Sequence, residues 1–220
     1  MNVQTPTSPQ AQTSRESKVV LRNVSWQTFK ALMADIEGSR ASRIAYDHGV
    51  LEIRMPLQEH EVPKVLLENF VGVIADELEI EIMSVGAMTL EREDLNRAIE
   101  PDTCFYIQNE AIIRGRNITL PDDPPPDLAV ESDLTNSSIN KLTLYASLGV
   151  PELWRYRRQT LQVYQLVEGS YELSEQSLAF PFLPIAEVPN FIEQSRTIGQ
   201  RASVRLFRAR IKEVLETFHK

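Results

Sequence analysis

Two carboxylates and one lysine are spaced in this sequence as hydrolysis of a phosphate ester would need them. Asp102 opens the apolar run "PDTCFYI", Glu131 ends the short strand "DLAVE", and Lys141 follows ten residues after Glu131 at a helix start. Side chains alternate along a strand, so Asp127, Ala129 and Glu131 share one face. Asp127 and Glu131 are nevertheless roughly 13 Å apart along it at about 3.3 Å per residue. They cannot share one ion, so Glu131 needs a partner from another strand, and Asp102 is the candidate. Two such carboxylates form a hard oxygen site suited to Mg²⁺ or Mn²⁺, with water and a substrate phosphate completing the shell. A metal held there lowers the pKa of a bound water and neutralises charge on a phosphorane-like transition state. The flexible ammonium of Lys141 would add positive charge where the attacking water or the scissile phosphate sits.

The elements that must position these groups follow from pattern. "KVVLRNV" predicts a short strand, and Ser25 caps a helix over "SWQTFKALMADIEG". "RIAYDHGVLEIRMP" alternates on both sides of Asp47-His48-Gly49, a β-hairpin. "HEVPKVLLENFVGVIADELEI" predicts a long helix with Val62, Val65, Leu66, Val73, Ile74 and Leu78 as its apolar stripe and Pro63 in its first turn. Strands are expected in "EIMSVGAMTL" and "AIEPDTCFYIQ". Pro101 makes the second an edge or bulged position, or a strand starting at Asp102. Ser137 is expected to cap the helix "SINKLTLYASLG", which Gly149 and Pro151 end. Three antiparallel strands follow in "PELWRY" and "TLQVYQLVEGSYEL". A short helix near "IAEVPNFIEQS" and a longer one from Thr197 onward finish the chain. This order favours an α/β fold, a mixed central β-sheet flanked by α-helices.

Composition excludes several function classes. One cysteine in 220 residues leaves no internal disulfide and no cysteine-rich zinc site. No apolar run reaches the roughly 20 residues of a membrane span, and the N-terminus has no signal-peptide pattern. A reduced cytoplasm is the expected location. The net charge of −8 argues against a protein that simply coats nucleic acid. It leaves room for an enzyme that touches nucleic acid through one local patch.

The motifs resemble the PD-(D/E)XK nuclease superfamily. They look more closely like the Uma-two family of restriction-endonuclease-type proteins, abundant in cyanobacteria. The resemblance rests on "EPDTCFYI", "PPDLAVESDLTNSSINKLTLYASLGVPELWRY" and the hairpin "RIAYDHGVLEIRMP" followed by "EHE", and covers roughly residues 25–195. It implies a restriction-endonuclease-like fold, with Asp102 and Glu131 as the two acids and the carbonyl of Ser132 completing a metal site. The superfamily's lysine two residues after the second acid is replaced here by Asp133. By the resemblance, Lys141 on the following helix takes that role. Asp133 either adds to the metal site or begins the loop. Where the family often has Glu in the first hairpin, this chain has Ala45. That leaves open whether another acid, such as Glu68, contributes.

Each group also has a plainer reading. Asp127 reads as a turn acid after three prolines, with a catalytic role as the alternative. His60 reads as a helix-start residue near the site mouth, and Cys104 as a buried thiol. Arg155, Arg157 and Arg158 could meet a phosphate backbone, whereas the basic residues of the last helix fit a solvated face. The expected organisation is a disordered tail over residues 1–17, a nuclease-like domain over 18–195, and a C-terminal helix over 196–220 packed on or extending it. The expected activity is metal-dependent cleavage of DNA by a homodimer, because duplex cleavage needs two sites. The rival is a non-catalytic nucleic-acid or protein-interaction module that keeps the fold.

Overall fold

The computed structural model describes residues 17–36, 42–55, 58–132 and 137–218. The chain opens with β1 (Lys18–Leu21) and α1 (Trp26–Ile36), and the Ser25 Oγ caps the helix by accepting from the Thr28 N–H at 3.1 Å. β2 (Arg43–Asp47) and β3 (Val50–Arg54) form the expected hairpin, turning at His48-Gly49. α2 (Gln58–Leu78) buries Leu66, Leu67, Phe70, Val71 and Ile74, a stripe at the three- and four-residue spacing of a helix. Val65, expected inside, faces out, because the true stripe is centred one position further round the helix. Pro63 lies inside the helix rather than in its first turn, since the helix begins at Gln58.

β4 (Met83–Gly86), β5 (Leu90–Arg92), β6 (Arg97–Ile99) and β7 (Thr103–Tyr106) follow, then α3 (Glu110–Ile113), β8 (Leu128–Ser132) and α4 (Lys141–Ser147). β9 (Glu152–Arg157), β10 (Thr160–Val167) and β11 (Ser170–Ser174) make the antiparallel meander. A 3-10 turn at Ile185–Glu187 leads into α5 (Val188–Ile198) and α6 (Gln200–Phe218). The two helices expected at the end of the chain are both present, but the longer starts at Gln200 rather than at Thr197. Gly199 takes φ +87°, a conformation that side-chain-bearing residues avoid, and ends α5 there.

The strands form two sheets rather than one. An antiparallel sheet runs β1-β3-β2-β6-β5, and a mixed sheet runs β11-β10-β9-β8-β7-β4, with β8 and β9 parallel. The chain crosses between them at Glu100-Pro101-Asp102. Proline has no N–H to continue a ladder, so β6 stops in one sheet and β7 starts in the other. β7 starts at Thr103, one residue after the strand start expected at Asp102, and pairs with both β4 and β8, so the edge alternative does not hold.

One face of the mixed sheet packs Leu128, Val130, Trp154 and Val163 against α2, α5 and α6. Stacked rings of Phe70 and Phe207, 4.2 Å apart, join α2 to α6. The opposite face packs Cys104, Ala129 and Leu153 against α4 residues and against Ala45, Leu90 and Ile99 of the antiparallel sheet. That sheet's outer face carries Ile44, Tyr46 and Leu51 under Trp26 and Phe29 of α1. Burying each large side chain contributes about 1.5–3 kcal/mol, so both sheets are held firmly at the seam between them.

Candidate functional site

The seam brings the two acids together. Thr103 faces Val130 in the antiparallel pairing of β7 and β8. Asp102 and Glu131 stand one residue further along each strand, which makes them direct cross-strand neighbours. Both are buried. Two carboxylates placed so closely in a dry setting repel unless something positive stands between them.

That positive group is the guanidinium of Arg54, from the end of β3 in the other sheet. Its Nη2 lies 3.3 Å from Asp102 Oδ1 and 3.4 Å from Glu131 Oε2. Lys141 Nζ donates to the same Glu131 Oε2 at 2.7 Å, and Tyr145 OH donates to Glu131 Oε1 at 2.6 Å. Asp102 Oδ2 accepts from the Ser132 N–H at 2.6 Å and from its hydroxyl at 3.0 Å. Burial, then the charge of Glu131, pushes the Tyr145 phenol well above its ordinary value, so it stays a neutral donor.

The helix that carries Lys141 is placed by its own start. Asn140, not Ser137, is the N-cap: its side chain accepts from the Thr143 N–H at 3.3 Å. Lys141 is therefore the first helical residue, and Tyr145, four residues on, shares its face. Ser137 has a different task. Its hydroxyl donates to Glu52 Oε1 at 2.9 Å, and the Ser138 N–H donates to Glu52 Oε2 at 2.6 Å. Buried Glu52 of β3 thus anchors the segment that launches α4, with the Lys18 ammonium 3.7 Å away.

Other expected site residues lie elsewhere. Asp127 accepts from the Ile107 N–H at 2.6 Å, the Asn109 N–H at 3.0 Å and the Asn109 side-chain amide at 2.6 Å. It is a loop-fixing acid, the turn reading of the sequence. Glu68 sits on α2, in a groove with Asn69 and Arg201. That helix packs on Leu128 and Val130, the face of β8 opposite to Ala129. The side chain of His60 and all of Asp133 lie outside the described residues. Burial pushes the Cys104 thiol up to about 12 and its Sγ lies 3.4 Å from the Gly86 carbonyl, which leaves it protonated and unreactive.

Arg54, Glu52 and Tyr145 escaped the sequence reading. The first two lie in a hairpin, where an antiparallel pair normally turns one face to water. The available signal was their spacing: Val50, Glu52 and Arg54 share a strand face with the small residue Ala45 opposite Glu52. Tyr145 was legible only as the residue four after Lys141.

A cleft of about 300 Å³ opens beside Glu131, lined among others by Ser137, Asn140, Lys141 and Arg155. Arg155 is paired with Glu131 in the parallel register of β8 and β9, so it rises on the same face. The donor chemistry fits a hard divalent cation, because oxygens of Asp102 and Glu131 already converge on one cationic nitrogen. Among the described residues no third Asp, Glu, His or Cys joins them. Among those same residues, no helix is long and apolar enough to cross a membrane.

The family model of Uma2, described as "Putative restriction endonuclease", matches residues 26–198. A crystal structure of "a putative nuclease belonging to DUF820" from Anabaena variabilis is similar at 15% identity. The likeness covers 73% of this chain and 90% of that one, with a TM-score of 0.44. No curated protein matches the sequence. The family match takes in both acids, Lys141, Tyr145 and the hairpin bearing Arg54, on a restriction-endonuclease-like α/β fold; the chain belongs to the Uma2 family.

Proposed function

We propose that this protein is a metal-dependent endonuclease that hydrolyses DNA phosphodiester bonds in the cytoplasm, acting as a homodimer on duplex substrate. The observation that carries the reading is the convergence of Asp102, Glu131 and Lys141 at one end of β8, beside a cleft with a cationic wall. Asp102 and Glu131, with the Ser132 carbonyl, would hold Mg²⁺ or Mn²⁺. When bound, that ion supplies Lewis acidity and a water of lowered pKa. Lys141 holds a proton-rich ammonium against Glu131, where it orients the attacking water and offsets charge growing on the phosphate oxygens. Tyr145 fixes the second oxygen of Glu131, and Ser132 fixes Asp102, so neither carboxylate must reorganise during the reaction. Arg155 faces the same cleft and is the group to receive a backbone phosphate.

One observation favours a second reading. The Arg54 guanidinium pairs with both acids that would hold the metal, as in a fold that has kept its charges and lost turnover. Plasmid cleavage with Mg²⁺ or Mn²⁺ separates the two. Wild type should nick supercoiled DNA, while Glu131→Gln, Lys141→Ala and EDTA each reduce the rate by about 100-fold or more. Intact plasmid under every condition would favour the binding module.

A further inference from the structure

We propose that Arg54 is the resident counter-cation of this site, and that a divalent ion enters only by displacing its guanidinium. The inference rests on the metal-site reading of Asp102 and Glu131.

Among the described residues, Asp102 and Glu131 bring two negative charges and the Arg54 and Lys141 groups paired with them bring two positive ones, so these four balance without a metal. A divalent ion added to this set would leave it with two excess positive charges in a poorly solvated seam, where like charges repel strongly. One cation must give way.

Distances say which one. Lys141 and Tyr145 grip Glu131 at 2.7 and 2.6 Å, and the Ser132 N–H grips Asp102 at 2.6 Å. The Arg54 nitrogen stands 3.3 and 3.4 Å from the acids, at the long end of hydrogen bonding. This nitrogen bridges both acids, whereas Lys141 and Tyr145 hold Glu131 and Ser132 holds Asp102. It also contacts one oxygen of each acid, the two groups that would have to close on a divalent ion.

Topology says that it can move. Arg54 is the last residue of β3, and Met55 beyond it is exposed. A long side chain at a strand end can swing by rotamer change while the strand stays paired. Lys141 is fixed differently, as the first residue of a capped helix docked through Glu52.

Consequently, wild-type protein should be well folded without metal and should bind divalent ions weakly. Manganese binding to the full chain, followed by the electron paramagnetic resonance signal of free Mn²⁺, tests this. Arg54→Gln should bind Mn²⁺ at least tenfold more tightly than wild type. It should also melt lower than wild type without the ion and recover when it is added. In Arg54→Gln combined with Glu131→Gln, the gain in affinity should disappear. Equal or weaker binding by Arg54→Gln, or a gain that survives in the double variant, would overturn the proposal. Should the glutamine variant fail to fold, Arg54→Lys decides by the same titration. A shorter ammonium cannot reach both acids as the guanidinium does, so a gain of a few-fold is expected, and unchanged affinity overturns the proposal. Tighter Mn²⁺ binding with no cleavage by any variant would sink the nuclease reading and leave this one standing. Metal-dependent cleavage by wild type with unaltered affinity in Arg54→Gln would do the reverse.

Discussion

Two clusters of arginines and acids sit in this molecule under opposite conditions. On the surface, Arg208 of α6 forks onto Glu77 and Asp76 of α2 at 2.5 and 2.6 Å, while Arg210 pairs with Glu187 of the 3-10 turn at 2.7 and 2.8 Å. At the seam, Arg54, Asp102, Glu131 and Lys141 make longer or mixed contacts. By distance alone the surface cluster looks stronger. Solvent reverses that ranking: the Arg208 and Asp76 side chains are 38% and 63% exposed, against 6% for Arg54 and 2% for Glu131. Exposed pairs exchange one solvated state for another and contribute little. Buried charges lose several kcal/mol of hydration each, and apolar residues of equal volume would often serve stability as well. A charged cluster kept in the seam is therefore better explained by chemistry than by stability.

The largest effect expected from this contrast is on removing the shared acid. Glu131→Ala strands an ammonium, a guanidinium and a phenol in the seam and should cost about 3–5 kcal/mol in urea unfolding. A loss below about 1 kcal/mol would place the seam in the same class as the surface. Asp127→Ala comes next, because it frees two backbone N–H groups and an amide. It should cost about 2–3 kcal/mol and leave DNA cleavage per folded molecule unchanged, which separates a structural acid from the seam acids. Arg208→Ala should shift stability by less than about 1 kcal/mol, and less still in high salt.

At neutral pH the smallest effect concerns Cys104. Burial pushes its thiol from an ordinary value of 9.0 up to about 12. Between those values the folded chain keeps a proton that the unfolded chain loses. Its contribution to stability is thus whole below about pH 9 and falls as pH rises toward 12. Cys104→Ala should flatten that part of the stability profile. Iodoacetamide at pH 8 should label wild type only after denaturation.

The two Pro-Asp segments explain how far the sequence could be read. "EPDTCFYI" and "PPDLAVES" look alike, and periodicity correctly placed both before buried strands. What separates Asp102 from Asp127 is the source of their donors. Asp127 is satisfied by a loop some 20 positions upstream, whereas Asp102 meets residues from β8 and from the other sheet. Local pattern carries the first kind of information, and sheet partition carries the second. Pro101 was legible as a break, yet nothing local says that a chain leaves one sheet for another there. For the same reason nothing local says that Glu52 and Arg54 point into the seam, since an antiparallel hairpin ordinarily keeps one face wet. Helix starts were legible to within a few residues. The choice of Asn140 over Ser137 as cap turned on Glu52, which claims Ser137 from 85 positions away.

The most direct test of the metal-site account is an anomalous difference map from crystals of the wild-type protein soaked in Mn²⁺. It predicts one dominant peak between Asp102 and Glu131, at bonding distance from an oxygen of each, with Lys141 still on Glu131. A peak on other residues, or no peak at a Mn²⁺ concentration that supports DNA cleavage, would contradict it.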